Sequence, residues 1–372
     1  MENICDMNNK VKVAVLDTGI DKEHDYLKDN LVGGIAFECM HDYIFISDKF
    51  DDEDGHGTAC ASIIKKEYED VELFVIKILR KDGITNIKVL EEALRYLLDT
   101  NIRLINLSLS VIGVESVKGL FEVCYELFRK GKIIVCSLAN DFDLSYPAMF
   151  NNVIGVRGFT LDGDDSFWYN KKYDVQCVMD SNSYISCDIN NSYRLPPKCN
   201  KYDVQCVMDS NSYISCDINN SYRLPPKCNS YLSAKLTGKI AKILSEKPGI
   251  TISDLNDKLE SLATRNHWDS CDFDECSRIV NFKLDLYDKE NALFMKVADV
   301  VRDCLDIEEN NEKLFKGSLF NKEIGLVYDN CFNLLKKLEH RFDIKFNYMD
   351  ISKYDLVSIY TLTELVERYK NL

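Results

Sequence analysis

Five short apolar runs constrain this chain more than any other feature: 11–16 (VKVAVL), 73–79 (LFVIKIL), 102–109 (IRLINLSL), 133–136 and 153–156. Continuous apolar runs of this length fit strands buried on both faces, as in a parallel sheet. Amphipathic stretches fall between them. Residues 87–99 carry Val89, Leu90, Ala93, Leu94, Leu97 and Leu98 at helical spacing, and 117–130 carry Leu120, Phe121, Cys124, Leu127 and Phe128. Strand and helix in alternation predict an α/β fold, a doubly wound and mostly parallel sheet with active residues at strand C-termini. A further helix starts at Ser230 and runs through Leu236, Ile240 and Ile243 to about Ser245, where Lys247-Pro248-Gly249 stops it. Another spans 253–264.

From about 286 the pattern turns wholly helical, over 292–305, 325–342 and 362–369. At roughly 150 residues per domain, 372 residues make two. The expected division is an α/β domain at 1–266, a linker at 267–285, and a small, mostly α domain at 286–372.

Residues 172–200 and 201–229 are identical, letter for letter, with a period of 29. Solenoid repeats have comparable periods but come as three or more diverged copies, and these copies carry no helical apolar stripe. Identity without divergence reads as a recent duplication or an error of sequence assembly, and both readings stand. Only the second copy ends next to a serine, Ser230. Loop-closure entropy grows slowly with length, so residues 172–200 are expected to be dispensable for folding.

Composition excludes several classes. A net charge of −15, from 61 acidic and 46 basic residues, argues against a nucleic-acid binder. No apolar run approaches the roughly 20 residues that span a bilayer, so no membrane partner is expected. The 15 cysteines are an odd number, and each repeat copy contributes three of them. The N-terminal stretch MENICDMNNKVKVAVLDTG lacks the basic and apolar regions of a secretion signal. A cytoplasmic protein with reduced thiols is expected. Cys271 and Cys276, with His267 nearby, lack zinc-ribbon spacing and read as linker. No metal-ligand set is legible, and no cofactor is expected.

Three residues stand at strand-end or helix-start positions. Asp17 ends the first strand in VAVLDTGID, His56 lies between glycines in DGHGTACASII, and Ser230 opens a helix in CNSYLSAKLTG. A serine hydroxyl is a poor nucleophile at neutral pH unless an imidazole takes its proton, and a buried carboxylate holds that imidazole in the useful tautomer. Glycines around His56 permit close approach of backbone and substrate. Asn140, in SLAND after the run 133–136, can donate an amide hydrogen to an oxyanion. Ser108, Leu109 and Ser110 can offer a strand edge to an extended peptide. Singly, each has a plainer reading: Asp17 a turn residue, His56 a helix-start residue, Ser230 an N-cap, Asn140 a turn residue. DTG also occurs in aspartic proteases, but those need a second such aspartate, and no second DTG or DSG is present. The other histidines, His24, His41, His267 and His340, read as surface or packing residues.

DTG at Asp17, GHGT at His56 and NSYLSA at Ser230, in that order, resemble the three motifs of the subtilisin-like serine proteases, the subtilases. YPAMFNNVIGVRG, residues 146–158, is similar to the family's strand after its oxyanion asparagine. The resemblance covers about 10–266. It implies a Ser230–His56–Asp17 triad and Asn140 as oxyanion residue. The sequence departs from the family at Cys228, where glycine is usual, at Leu232, where a small residue is usual, and at Ala234, where proline is usual. Sixteen residues precede Asp17, and no folded pro-domain is expected within them.

The C-terminal segments KVADVVRDCLDIEENNEKLF, EIGLVYDNCFNLLKKLEHRFDIKF and LVSIYTLTELVERY resemble an acyl carrier protein. Such proteins carry phosphopantetheine on the serine of an Asp-Ser-Leu, and here that position falls on Tyr328, with Val327 in place of the aspartate; Ser318 lies too far upstream. The resemblance implies a carrier-like helical bundle without its arm; a generic helical bundle is the other reading. Carrier-related proteins and subtilases both occur near peptide natural-product maturation systems, of the bacteriocin kind. Two functions follow. One is a cytoplasmic serine endopeptidase that cleaves a precursor peptide, with a maturation-system partner recruited by the C-terminal domain. The other is a catalytically degenerate subtilase that holds a peptide as a scaffold.

Overall fold

The computed structural model describes residues 10–41, 43–112, 117–140, 145–159, 161, 166–171, 206–209, 215–223, 228–268, 291–308, 312–315, 318–321 and 324–370. The first half of the chain forms β1 (Lys12–Asp17), β2 (Leu31–Met40), β3 (Tyr43–Ser47), α1 (His56–Glu67), β4 (Glu72–Lys77), α2 (Ile87–Leu97), β5 (Leu104–Leu107), β6 (Val111–Ile112) and α3 (Lys118–Arg129). There follow β7 (Ile133–Ser137), β8 (Ser145–Tyr146), β9 (Ile154–Phe159), β10 (Phe167–Tyr169), β11 (Cys206–Asp209), β12 (Ser215–Asp217) and β13 (Ser221–Arg223). The helices α4 (Asn229–Glu246), α5 (Ile252–Leu262), α6 (Ala292–Leu305), α7 (Cys331–Phe342) and α8 (Ile359–Lys370) complete it.

The main sheet runs β10-β11-β9-β7-β5-β1-β4-β2-β3. All its pairs are parallel except β2–β3 and β10–β11 at the two edges. Alternation along β1 shows why the strands are apolar throughout. Val13 and Val15 face a core built with Cys60, Ala61 and Ile64 of α1 and Leu236 and Ile240 of α4. Ala14 and Leu16 face a second core with Leu90 and Leu94 of α2 and Leu120 and Val123 of α3. Side chains leave a strand alternately to its two faces, so a sheet covered on both sides needs apolar residues at every position. The expected α/β fold with a mostly parallel sheet is the one observed.

Two expectations differ. β2 and β3 are not among the expected strands: Gly33 and Gly34 interrupt the apolar pattern of β2, and the register shifts between Leu31 and Gly33. The expected helix 325–342 begins only at Cys331. Gly325 has φ +89 and Val327 is extended, and the Asn330 side chain accepts from Val327 N at 2.8 Å to close a single 3-10 turn at Tyr328–Asn330.

α6, α7 and α8 enclose a third core around Phe294, Val301, Leu334, Leu338 and Leu362. It meets the α/β body at the β12–β13 hairpin, where Tyr222 packs on Tyr348 (ring centroids 4.7 Å apart) and Phe332 (5.8 Å). Lys66 of α1 also donates to Met349 O. The described parts of the repeated sequence, β11 to β13, come from the second copy. Residues 172–200, most of the expected linker, and Cys271 and Cys276 lie outside the described residues.

Candidate functional site

β1 and β4 are parallel neighbours, and the chain turns sharply after Asp17 at Thr18-Gly19. Asp17 is fully buried there. Its Oδ1 accepts from Thr18 N at 2.7 Å and faces His56 Nδ1 at 2.7 Å. Its Oδ2 is buried without a hydrogen bond. His56 opens α1 after Gly55, whose φ of +97 is left-handed backbone that glycine adopts without strain. Gly57 serves the protein rather than a substrate: a Cβ there would lie 2.2 Å from Gly19 O. The glycines around His56 therefore let α1 press against the Asp17 turn. Burial disfavours the His56 imidazolium, but the Asp17 carboxylate outweighs it and holds His56 well above the ordinary imidazole value.

Asp52 locks these pieces together. Its carboxylate accepts from Thr18 Oγ1 (2.8 Å), Asp54 N (3.0 Å), Gly55 N (2.9 Å), Thr58 N (2.9 Å) and Thr58 Oγ1 (2.7 Å). Burial alone would raise the Asp52 carboxyl, but these donors, Gly55 N and the Thr58 hydroxyl foremost, hold it below the usual carboxylate value. A lowered folded pKa gives stability that is present above the unfolded value and lost as pH falls through the folded one. Asp52→Ala is therefore expected to cost about 3 kcal/mol near neutral pH, since it strands several buried donors. The gap to wild type in urea unfolding narrows only as pH falls below about 4. A gap that is constant with pH would contradict this account.

Ser230 lies in the first turn of α4. Its Oγ donates to Ser108 O at 3.2 Å, and among the described residues no hydrogen bond joins it to His56. Rotation about χ1 is the one torsion that turns a serine hydroxyl from one partner to another, and catalytic hydrogen bonds are often loose before substrate binds. A buried polar chain fixes the backbone beneath it. Thr237 Oγ1 donates to Asn106 Oδ1 (2.9 Å), Asn106 Nδ2 to Ser108 Oγ (2.8 Å), and Ser108 Oγ to Ser230 O (3.1 Å). Asn229 ties the helix start to the strand tips: its Oδ1 accepts from Gly158 N at 2.8 Å and its Nδ2 donates to Leu138 O at 3.1 Å. Asn140 is exposed, and its Oδ1 accepts from Asn229 N at 2.9 Å, which leaves its amide N–H groups as donors beside Ser230.

Ser108, Leu109 and Ser110 continue β5 and line a cleft of about 510 Å³ that ends at His56. Leu79, Ile84, Ile87, Val111 and Ile112 make its walls largely apolar. Leu109 O already accepts from the Cys136 thiol at 3.3 Å, so the segment is not wholly free to pair with a peptide. Asp17, His56 and Cys60 bring donor atoms within 4.8 Å of one another. Two of those atoms are engaged in the Asp17–His56 hydrogen bond, so the trio reads as an oriented imidazole rather than a metal centre.

The subtilase family model matches residues 8–275, well over half of the chain. The chain belongs to the subtilase family. This subtilase is 30% identical over 192 residues to an intracellular serine protease of Paenibacillus polymyxa, covering 47% of this chain and 58% of that protein. It is 28% identical over 200 residues to the major intracellular serine protease of Bacillus subtilis (strain 168), covering 49% and 61%. It thus spans about three-fifths of these relatives. In structure it is similar to a cold-adapted subtilisin-like serine proteinase, with a TM-score of 0.51 at 18% identity over 68% of this chain and 81% of that one, which speaks for the fold alone.

Several residues that build the subtilase site escaped the sequence reading. Asn106 did leave a signal, as the one amide inside an otherwise apolar run, and such a buried amide must find partners. Asp52 and Thr237 left none, because their partners are distant in sequence. His24, read as a packing or surface residue, is fully buried, and its Nε2 donates to Ser221 O at 2.9 Å.

Proposed function

We propose that the chain is a cytoplasmic subtilisin-like serine endopeptidase that cleaves a precursor peptide. The observation that supports this best is the 2.7 Å hydrogen bond between Asp17 and His56, with His56 lining a largely apolar cleft. Ser230 Oγ attacks the scissile carbonyl while the ring nitrogen of His56 that is not held by Asp17 takes its proton. The oxyanion receives hydrogen bonds from the Asn140 amide and from N–H groups at the start of α4. His56 then protonates the leaving amine, and water releases the acyl group by the same steps in reverse. The apolar walls favour apolar side chains in the substrate. The two relatives named above are intracellular proteases, which supports a cytoplasmic setting. No helix among the described residues is long and apolar enough to cross a membrane.

The C-terminal bundle, read as a carrier-like module with Val327 and Tyr328 where a carrier has its Asp-Ser, is proposed to recruit a partner of a peptide maturation system. A second reading, a peptide-binding scaffold without turnover, is favoured by one observation: Ser230 Oγ points to Ser108 O, with Cys228 in place of the usual glycine.

Labelling with a serine-directed fluorophosphonate, read by intact mass, tests the proposal. One adduct is expected on the wild type and none on Ser230→Ala. A folded wild type that takes no label would favour the scaffold. Extensive digestion of casein would contradict a precursor-specific enzyme.

A further inference from the structure

β13 is only three residues long, and consecutive side chains of a strand leave to opposite faces. Tyr222 takes one face. Its ring packs on Tyr348 (4.7 Å between centroids) and Phe332 (5.8 Å) of the C-terminal bundle, and on His24 (5.2 Å) of the α/β body. Arg223 takes the other face, and its side chain is 25% exposed. Its Nη1 lies 3.9 Å from Asp217 Oδ1 and 3.5 Å from Asp54 O. Asp54 in turn holds the loop before α1, where its Oδ1 accepts from His56 N at 3.1 Å. The contact with that loop is close. A Cβ on Gly55 would collide with Asp217 Oδ1 and lie 3.3 Å from Arg223 Nη1.

A two-stranded hairpin as short as β12–β13 does not hold its position alone. Both of its flanks are tied. On the α/β side, Cys216 N donates to Ser62 Oγ of α1 (3.1 Å) and Asn220 N to Asp21 Oδ2 (2.9 Å). On the other side the bundle covers Tyr222, and Tyr348 is itself fixed by the hydrogen bond its hydroxyl donates to Glu339 Oε2 of α7 at 2.5 Å. The bundle starts at Ala292, beyond the residues 8–275 that carry the subtilase match. The hairpin beside His56 is therefore supported from outside the family's domain.

We propose that Arg223 is a positioning residue for His56, and that the C-terminal bundle sustains activity by holding β13 where Arg223 can act. Arg223 is not among the residues that line the cleft. It acts through Asp54 and Asp217 on the loop that presents His56. When the bundle's grip on Tyr222 is lost, β13 shifts, the Asp54–Gly55 turn loosens, and His56 moves relative to Ser230. The Ser230 hydroxyl, turned to Ser108 O, then meets a misplaced base, and small displacements of reacting groups cost large factors in rate. The effect on activity rests on the peptidase reading; the effect on the loop does not.

Hydrogen–deuterium exchange and fluorophosphonate labelling of the full chain test both halves. Tyr348→Ala and Arg223→Met are compared with wild type, singly and together, and Tyr348→Phe, which keeps the ring, is the control. The amides of Gly55 and Thr58 both donate to Asp52 at 2.9 Å. In either single variant they should exchange about tenfold faster, while those of β7 stay as in wild type. Labelling of Ser230 should slow by about tenfold or more in both, and Arg223→Lys should recover part of the loss. The double variant should label no more slowly than the slower single one, because the two residues act along one path. Effects that multiply in the double variant, or unchanged exchange at Gly55 and Thr58, would overturn the proposal, as would a defect in Tyr348→Phe as large as that in Tyr348→Ala. If Tyr348→Ala does not fold, Phe332→Ala completes the same cycle. If the wild type never labels, the peptidase reading has failed, and exchange at Gly55 and Thr58 alone decides whether the bundle holds the His56 loop.

Discussion

Asp17→Asn lowers the rate of peptide hydrolysis or fluorophosphonate labelling by about 10⁴-fold while the fold stays intact, as for the equivalent change in other serine-protease triads. The reason is the tautomer. Asp17 Oδ1 faces His56 Nδ1 at 2.7 Å, which leaves the other ring nitrogen with a lone pair for the Ser230 proton. An asparagine can turn its amide N–H toward Nδ1 instead, and the proton then sits on the nitrogen that has to act as base. Stability should fall where His56 is protonated, because the variant lacks the carboxylate that faces the imidazolium at 2.7 Å. The pH profile carries a second signature. His56 is held well above the ordinary imidazole value, so the wild-type rate climbs with pH through an alkaline limb as the base is freed. A raised folded pKa also contributes stability that is present below the unfolded value and lost as pH rises through the folded one. Without Asp17 both effects vanish: the residual rate has its limb at lower pH, and stability no longer declines across that window. An Asp17→Asn variant with the wild-type rate and profile would mean that His56 is not the base.

Gly57→Ala is expected to cost about 3 kcal/mol or more, or to leave the chain insoluble. The added carbon would lie 2.2 Å from Gly19 O and 3.1 Å from Asp17 Cβ and Gly19 N. None of these is the movable end of a side chain. Relief requires α1 to withdraw from β1, which pulls Gly57 N from Thr18 Oγ1 (2.9 Å) and His56 from Asp17. Labelling at Ser230 should therefore fall even in any fraction that folds. Gly249→Ala is the control. Nothing lies within 4 Å of its added carbon, and it should stay within about 0.5 kcal/mol of wild type in urea unfolding. A Gly57→Ala protein that unfolds at the wild-type urea concentration would contradict the packing described here.

The α/β fold was legible in the residues because burial on both faces demands unbroken apolar strands, and β1, β4, β5, β7 and β9 each carry one. The candidates Asp17, His56 and Ser230 were legible because glycines and strand ends mark where a chain must turn sharply. β2 was hidden by Gly33 and Gly34, and the start of α7 by the left-handed Gly325. Both are backbone effects that side-chain periodicity does not report.

Sequence alone determined the residue types and their order along the chain, since apolar pattern and turn chemistry are local properties. Only the tertiary structure decided their use. It set Asp52 across Thr18, Gly55 and Thr58, turned the Ser230 hydroxyl to Ser108, and seated Tyr222 between the α/β body and the C-terminal helices. These partners are far apart in sequence. A hydrogen bond or a ring contact depends on distances of a few ångströms, and those exist only once strands and helices have packed.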